Sequence, residues 1–363
     1  MDRPRTRRDK LRKQLRKAGA AAMLVTNFPN VTYLTGFSGD DSFLLIWREG
    51  EVLISDSRYT LQIEEECPGL EAHIRKNTVV MSDAAARVVK SAGVESLAIE
   101  SGTMTVSLRD ELATKSPAVE LISTTGIVEE LRKVKDKDEV AAIRVAVAQA
   151  EKAFGLLQAS FGREQTEKEL NDDLESYLRR FGAVRSSFPP IVAVGPRAAL
   201  PHAAPTCRQV AASDFVLVDW GALSGGYVSD LTRVLVTGKI SPKLERVYRV
   251  VLKANRQAIA AIRPGVTCRE VDRVARGVIE KAGFGKFFGH GLGHGIGLEV
   301  HEAPRLSAKN EEPLKPGMVV TIEPGIYLPD WGGVRIEDDV LVTRSGHEVL
   351  STLSKDLDDM IVA

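Results

Sequence analysis

Four acidic residues of this chain fall in pairs across turns. Phe215-Val-Leu-Val-Asp219 and Tyr227-Val-Ser-Asp230-Leu-Thr-Arg-Val-Leu-Val236 both read as strands, with turn chemistry in Leu223-Ser-Gly-Gly226 between them. Asp219 and Asp230 lie equidistant from that turn, so an antiparallel hairpin sets them opposite each other, about 4.5–5.5 Å apart. Val319-Val-Thr-Ile-Glu323 and Gly333-Val-Arg-Ile-Glu337 repeat the arrangement around Pro329-Asp-Trp-Gly-Gly333, which pairs Glu323 with Glu337. Carboxylates facing each other on apolar strands repel, so two such pairs point to cations between them.

Three of the six histidines fall in Gly289-His290-Gly-Leu-Gly-His294-Gly-Ile-Gly-Leu-Glu-Val-His301. On a helix, the four-residue spacing of His290 and His294 would suggest zinc. Glycine at every second position from Gly289 to Gly297 argues against a helix. It suggests instead an extended strand, with small residues where a ligand or another backbone comes close. Four carboxylates and one imidazole form an oxygen-rich, thiolate-free set suited to Mn²⁺ or Co²⁺. Four negative charges match two divalent cations, and a hydroxide shared between the ions would leave the cluster with one net negative charge.

These groups need elements to hold them. The first third alternates helical and strand-like segments: a basic helix near Arg7–Lys17, strand Ala22–Val25, a hairpin of Ser42–Trp47 and Glu51–Ser55, helices Ser82–Ala92 and Ser107–Leu112, and strand Leu97–Ile99. This is an α/β domain, expected over residues 1–132. Leu131–Asp138 is dense in charge and reads as the junction to a catalytic domain over 133–363. Helices are expected at Asp138–Ser160, Glu167–Arg180 and Leu244–Ile262, followed by the stop Pro264-Gly265.

Composition excludes several functions. Lys+Arg and Asp+Glu both number 49 in 363 residues, which disfavours wholesale binding to nucleic acid or anionic membrane. Cys67, Cys207 and Cys268 form no paired spacing, so neither a disulfide framework nor a thiolate zinc site is expected, and the reducing cytoplasm fits. No apolar run is long enough to span a membrane.

With these residues in hand, the chain resembles the proline-specific metallopeptidases of the pita-bread fold, Xaa-Pro aminopeptidase (aminopeptidase P) and prolidase. The resemblance rests on Asn30-Val-Thr-Tyr-Leu-Thr-Gly-Phe-Ser-Gly39, Leu131-Arg-Lys-Val-Lys-Asp136, Ser187-Phe-Pro-Pro-Ile-Val192 and Leu200-Pro-His202. It continues through Asp219-Trp-Gly221, Ser229-Asp-Leu-Thr-Arg233, the glycine-histidine stretch, Glu323-Pro-Gly-Ile-Tyr327 and Gly333-Val-Arg-Ile-Glu-Asp338, so it covers nearly the whole chain. It implies an α/β N-terminal domain plus an α+β pita-bread (creatinase/aminopeptidase-like) catalytic domain. It also implies two divalent ions, Mn²⁺ first and Co²⁺ or Zn²⁺ as alternatives, held by Asp219, Asp230, His294, Glu323 and Glu337. Asp230 and Glu337 would be shared by both ions. His202, His290, His301 and Arg335 would line the substrate site, with Tyr327 near the proline ring. A homodimer is implied as well. Trp220 departs from the usual phenylalanine, and Asp40-Asp41 stand where small residues are commoner.

The expected reaction releases the N-terminal residue from peptides with proline second. Two metals acidify a shared water and polarise the scissile carbonyl. Glu323 would take the water's proton, and His301 and His290 would donate to the developing oxyanion. The anionic metal-binding cluster and the Asp40-Asp41 pair offer places for the substrate ammonium, so acetylating that amine is expected to cost activity. Two alternatives stand beside this reading, a non-peptidase hydrolase of the same fold and a catalytically silent peptide-binding module.

Overall fold

The chain separates at Arg132/Lys133 into two units, and the computed structural model describes residues 3–362. In the first unit, strands β1 (Ala22–Val25), β2 (Phe43–Trp47), β3 (Glu51–Asp56), β4 (Ala72–Arg75), β5 (Ser96–Glu100) and β6 (Glu120–Thr124) form one sheet in the order β4-β3-β2-β1-β5-β6. β1 runs antiparallel to β2 and parallel to β5, and all four of its residues are buried, as befits a central strand covered on both faces. Helices α1 (Arg3–Lys17), α2 (Phe28–Thr35), α3 (Thr60–Glu66), α4 (Met81–Ala92), α5 (Val106–Lys115) and α6 (Ile127–Arg132) complete the unit. α1 buries the expected Leu11 and Leu15, and Arg8 with them.

The acidic pair Asp40-Asp41 is committed inside this unit. Tyr59 donates its hydroxyl to Asp40, while Arg58 and Arg75 both reach Asp41. Asp41 is thereby paired with cations inside the unit, whereas the exposed Asp40 meets a neutral hydroxyl.

The second unit begins with two long helices, α7 (Lys137–Ala159) and α8 (Glu167–Arg180), each opened by a capping box, Asp136/Glu139 and Thr166/Glu169. The charge-rich junction before α7 is partly buried. Lys133 pairs with Glu312 and Lys135 with Glu302, both at 2.9 Å.

Strands β7 (Arg185–Ser186), β8 (Ile191–Val194), β9 (Phe215–Trp220), β10 (Ala222–Ser224), β11 (Tyr227–Val228) and β12 (Leu231–Val236) come next. They form two three-stranded sheets, β12-β9-β8 and β11-β10-β7. Helices α9 (Pro242–Ala261) and α10 (Cys268–Lys281) lead to β13 (Gly293–Gly295), β14 (Glu302–Leu306), β15 (Val319–Ile322), β16 (Gly325–Leu328), β17 (Gly332–Arg335), β18 (Asp338–Val342) and β19 (His347–Val349). These make a five-stranded sheet, β14-β13-β15-β18-β19, and the hairpin β16-β17.

α10 was not anticipated, although its capping box Thr267/Glu270 is written in the sequence. The expected glycine-histidine strand shrinks to β13, because only Gly293–Gly295 find ladder partners.

One core runs between α7, β9, β12 and α9. At its centre Trp220 is fully buried, stacked on Phe154 with ring centroids 4.2 Å apart, and its indole N–H donates to the Ala150 carbonyl at 2.9 Å. Trp220→Phe therefore removes ring volume and a buried hydrogen bond at once. The expected cost is about 1–3 kcal/mol in denaturant unfolding with an unchanged m-value; an unchanged midpoint would contradict this account of the core.

Candidate metal centre

The two carboxylate hairpins close in different ways. β9 and β12 pair Asp219 with Thr232 and Trp220 with Leu231, so Asp230 lies diagonal to Asp219 rather than opposite it. The turn is the reason. Gly225 and Gly226 both adopt positive φ, 55° and 81°, which makes a two-residue hairpin loop centred one residue later than expected. Because the shift preserves strand parity, both carboxylates keep to one face. In the other hairpin Ile322 pairs with Asp338 and Gly325 with Arg335. One register thus runs through two ladders, and Glu323 and Glu337 face each other in the gap between them.

His294 enters from β13, which threads between β14 and β15. A Cβ on Gly293 would lie 2.1 Å from the Thr321 carbonyl oxygen, and one on Gly295 would lie 2.2 Å from that of Ala303. Only glycine allows this approach. Ligand atoms of Asp230, His294 and Glu337 gather within 4.8 Å of one another, all three residues being buried. His294 Nδ1 donates to the Gly295 carbonyl at 3.1 Å, which leaves Nε2 as a bare lone pair. That nitrogen lies 3.4 Å from Glu323 and 3.6 Å from Asp230. Burial pushes the imidazole down to about 3, so it is neutral.

A cation fits this set. Asp219 gives one oxygen to Arg335 and Glu337 gives one to the Thr232 hydroxyl, while Asp219 Oδ1 and Glu337 Oε1 are buried without any hydrogen-bond partner. Two orphaned anionic oxygens beside an imidazole lone pair carry a free-energy cost that a divalent ion removes. The proton affinities agree. Burial, reinforced by mutual repulsion, raises the pKa of Asp230 and Glu337 well above the usual carboxylate range. Burial also raises Asp219 against the lowering effect of Arg335, and pushes Glu323 up to about 8.

The remaining expected residues surround a cavity of about 960 Å³ that this cluster floors, walled also by Phe188, Pro190 and Val300. His202 sits on an exposed turn, and the exposed His301 stands edge-on to His294 at 4.4 Å. Arg335 lines the cavity and gives three of its five N–H donors to Asp219, Tyr327 and Thr232. Those three bonds orient its neighbours.

His290 also departs from expectation. Its Nδ1 meets the Gly291 carbonyl, which can only accept, and its Nε2 meets the Tyr327 hydroxyl at 2.9 Å. Burial holds the ring neutral by pushing its pKa down to about 4. A neutral ring that donates through Nδ1 must accept through Nε2, so His290 has no proton left for an oxyanion.

Three participants escaped the sequence reading: Thr232, Asp339, whose carboxylate accepts the Asp230 N–H, and Arg305 at the cavity wall. Thr232 lies two residues past Asp230 and Asp339 two past Glu337, on the same strand faces, which was the available signal.

These shifts set a pH dependence for protein stripped of metal. Carboxylates with raised pKa hold more protons folded than unfolded, so their contribution to stability is lost as pH rises through the folded value. The depressed histidines act in the opposite sense below about 6.5, their ordinary pKa. Stripped protein should therefore lose melting temperature between about pH 6.5 and pH 8, where Glu323 titrates, and divalent cation should restore it. Thermal scans with chelator and with added metal check this; a melting point that climbs through that window without metal would refute it.

Comparison with known proteins agrees with the geometry. Residues 141–344 match Metallopeptidase family M24, and residues 7–134 match the Creatinase/Prolidase N-terminal domain. An uncharacterised peptidase of Bacillus subtilis is 37% identical over 349 residues, spanning 96% of this chain and 98% of that protein. The structure of an Xaa-Pro dipeptidase from Bacillus anthracis superposes with TM-score 0.95 at 37% identity, covering 99% of this chain and 100% of the other. That of an X-Pro aminopeptidase from Thermotoga maritima gives 0.88 at 36%, covering 96% and 99%. The family implies divalent metal ions, which is what the orphaned oxygens require. A creatinase-type N-terminal unit, a pita-bread catalytic unit and a buried carboxylate–histidine cluster together make this chain a member of metallopeptidase family M24.

Proposed function

We propose that the enzyme is a proline-specific exopeptidase releasing the N-terminal residue from Xaa-Pro peptides, using two divalent ions held by Asp219, Asp230, His294, Glu323 and Glu337. The observation that carries it is the pair of orphaned carboxylate oxygens beside the His294 lone pair, on the floor of a largely apolar-walled cavity. The likeness to an Xaa-Pro dipeptidase over 99% of the chain supports the substrate class. Mn²⁺ leads the choice of ion, with Co²⁺ or Zn²⁺ behind it. A cytoplasmic homodimer belongs to the same reading. Among the described residues no helix is long and apolar enough to cross a membrane.

Ions bound there would supply Lewis acidity toward the peptide carbonyl and acidify water. Asp230, His294 and Glu337, whose ligand atoms lie within 4.8 Å of one another, would form the centre of that ligand set, with Asp230 and Glu337 as the carboxylates held in common. Glu323, 3.4 Å from His294 on the cavity floor, is the carboxylate placed to take a proton and hand it to the leaving proline nitrogen, which has no hydrogen of its own in the peptide. The oxyanion donor is His301, whose ring has no hydrogen-bond partner among the described residues. Tyr327 and the neutral His290 wall the pocket for the proline ring. Arg305, on the cavity wall without an acidic partner among the described residues, supplies a cation for the free carboxylate of a dipeptide. Dipeptides are therefore the favoured substrates over longer peptides.

Ligands and helpers should separate on mutation. Asp230→Asn and Glu337→Gln should lose metal and activity together, whereas His301→Ala should keep its metal while kcat falls about 10²–10³-fold. Metal analysis beside kinetics decides this, and loss of metal in the His301 variant would remove it from the donor role.

For the substrate, Met-Pro should be hydrolysed best, Met-Pro-Ala more slowly, and Met-Ala-Ala and acetyl-Met-Pro-Ala poorly. Loss of ring burial alone costs about 1–2 kcal/mol at ~25 cal/mol per Å², and misalignment of the scissile bond adds to it. Equal kcat/KM for Met-Ala-Ala and Met-Pro-Ala would defeat the proline assignment. Hydrolysis of creatine or a phosphotriester in place of any Xaa-Pro peptide would move the protein to the non-peptidase class.

A further inference from the structure

We infer that Asp272 and Arg276, one turn apart on α10, are positioning residues that set His290 against the substrate cavity. The stretch from Phe288 to Leu292 approaches the site just before β13 begins, and the carbonyls of Phe288 and His290 have no strand beside them. Arg276 takes the place of that strand. Its guanidinium grips the buried Asp272 through two bonds, 2.9 Å from Nε and 2.8 Å from Nη2. The same fork donates to the Phe288 carbonyl at 3.0 Å and to the His290 carbonyl at 2.9 Å. Asp272 in turn accepts the Leu292 N–H at 3.2 Å.

The clamp thus ties Phe288, His290 and Leu292 of the segment leading into β13, the Leu292 N–H being shared with the Leu306 carbonyl at 2.8 Å. A second route runs through the rings. Arg276 lies 4.3 Å over the Phe288 ring, and Phe288 meets the His290 ring edge-on at 5.1 Å. His290 then accepts from Tyr327, and Tyr327 from Arg335. Leu292 carries the arrangement further, because its carbonyl receives the Glu323 N–H at 2.9 Å. A planar fork that holds a carboxylate and two carbonyls at once is a task lysine cannot perform. The pair touches no part of the cavity itself.

This inference rests on reading His290 as a wall of the proline pocket, and the experiment separates the two. The variants are Arg276→Gln, Arg276→Lys and the double variant Asp272→Asn/Arg276→Gln, which removes the buried charge together with its partner and so protects the fold. Each is made with His290 intact and with His290→Gln. Arg276→Gln should lower kcat/KM for Met-Pro about 10- to 100-fold at unchanged metal content, the scale of a small misalignment. Arg276→Lys should recover part of that loss. In the His290→Gln background the same substitution should change kcat/KM by less than about 3-fold, since the two act as one unit.

A purely structural role would lower the melting temperature and leave the two losses multiplicative. The arm independent of activity is histidine ring NMR on the metal-free protein, with the His290 signal assigned by its absence in His290→Gln. That signal should move in Arg276→Gln and in the double variant. Multiplicative losses, or a His290 resonance that stays in place, overturn the inference. If the unmodified protein cleaves no Xaa-Pro peptide, the functional reading fails and the resonance still decides the positioning role.

Discussion

Mutual repulsion among buried carboxylates governs the architecture of the second unit. Asp219, Asp230 and Glu337 are each less than a tenth exposed, and Glu323 stands beside them in the same water-poor floor. Burying an unpaired charge is costly, and breaking one half of a buried ion pair costs about 3–5 kcal/mol. The buried guanidinium of Arg335 pairs with Asp219 and so offsets one charge of four. The set is tolerable only with protons or cations bound, so its stability and its chemistry are governed by the same electrostatic demand.

Around that demand the protein spends neutral and cationic donors with economy. The Thr232 hydroxyl and Arg335 each take one oxygen of a carboxylate pair, turning the other oxygen inward. Behind them Arg233, wholly buried, donates to the Glu337 and Thr232 carbonyls and pairs with Asp338, whose acid is thereby held down at about 2. Asp338 and Asp339 are neighbours with opposite fates. The first has Arg233 and Lys355 against it, while burial drives the second far above the ordinary range. The backbone of Glu337 is therefore anchored by a paired charge, leaving its side chain free to turn toward the site.

Much of the site was readable from local pattern. The acid pairs straddle glycine-rich or proline-rich turns, and strand alternation alone keeps each pair on one face. The register of Glu323 and Glu337 follows from a turn in which Asp330 takes φ 61°, and it agrees with simple equidistance. Asp219 and Asp230 slipped to a diagonal because two successive positive-φ glycines fix the loop more tightly than a count of turn-forming residues suggests. α10 lies outside the helices expected from the sequence, although the capping box of Thr267 and Glu270 marks its start.

Local sequence therefore determined residue type, face and approximate pairing, since those depend on backbone periodicity and turn chemistry over a few residues. It also determined that the glycine-histidine segment could not be helical. What it could not contain is the state of each polar atom. That His290 spends both nitrogens, that Arg335 is bound to Asp219 and Tyr327, and that two carboxylate oxygens have no partner depend on contacts between segments up to 116 positions apart. Hydrogen-bond satisfaction and desolvation are properties of a surrounding volume, and that volume exists only once the sheets and helices have closed over it.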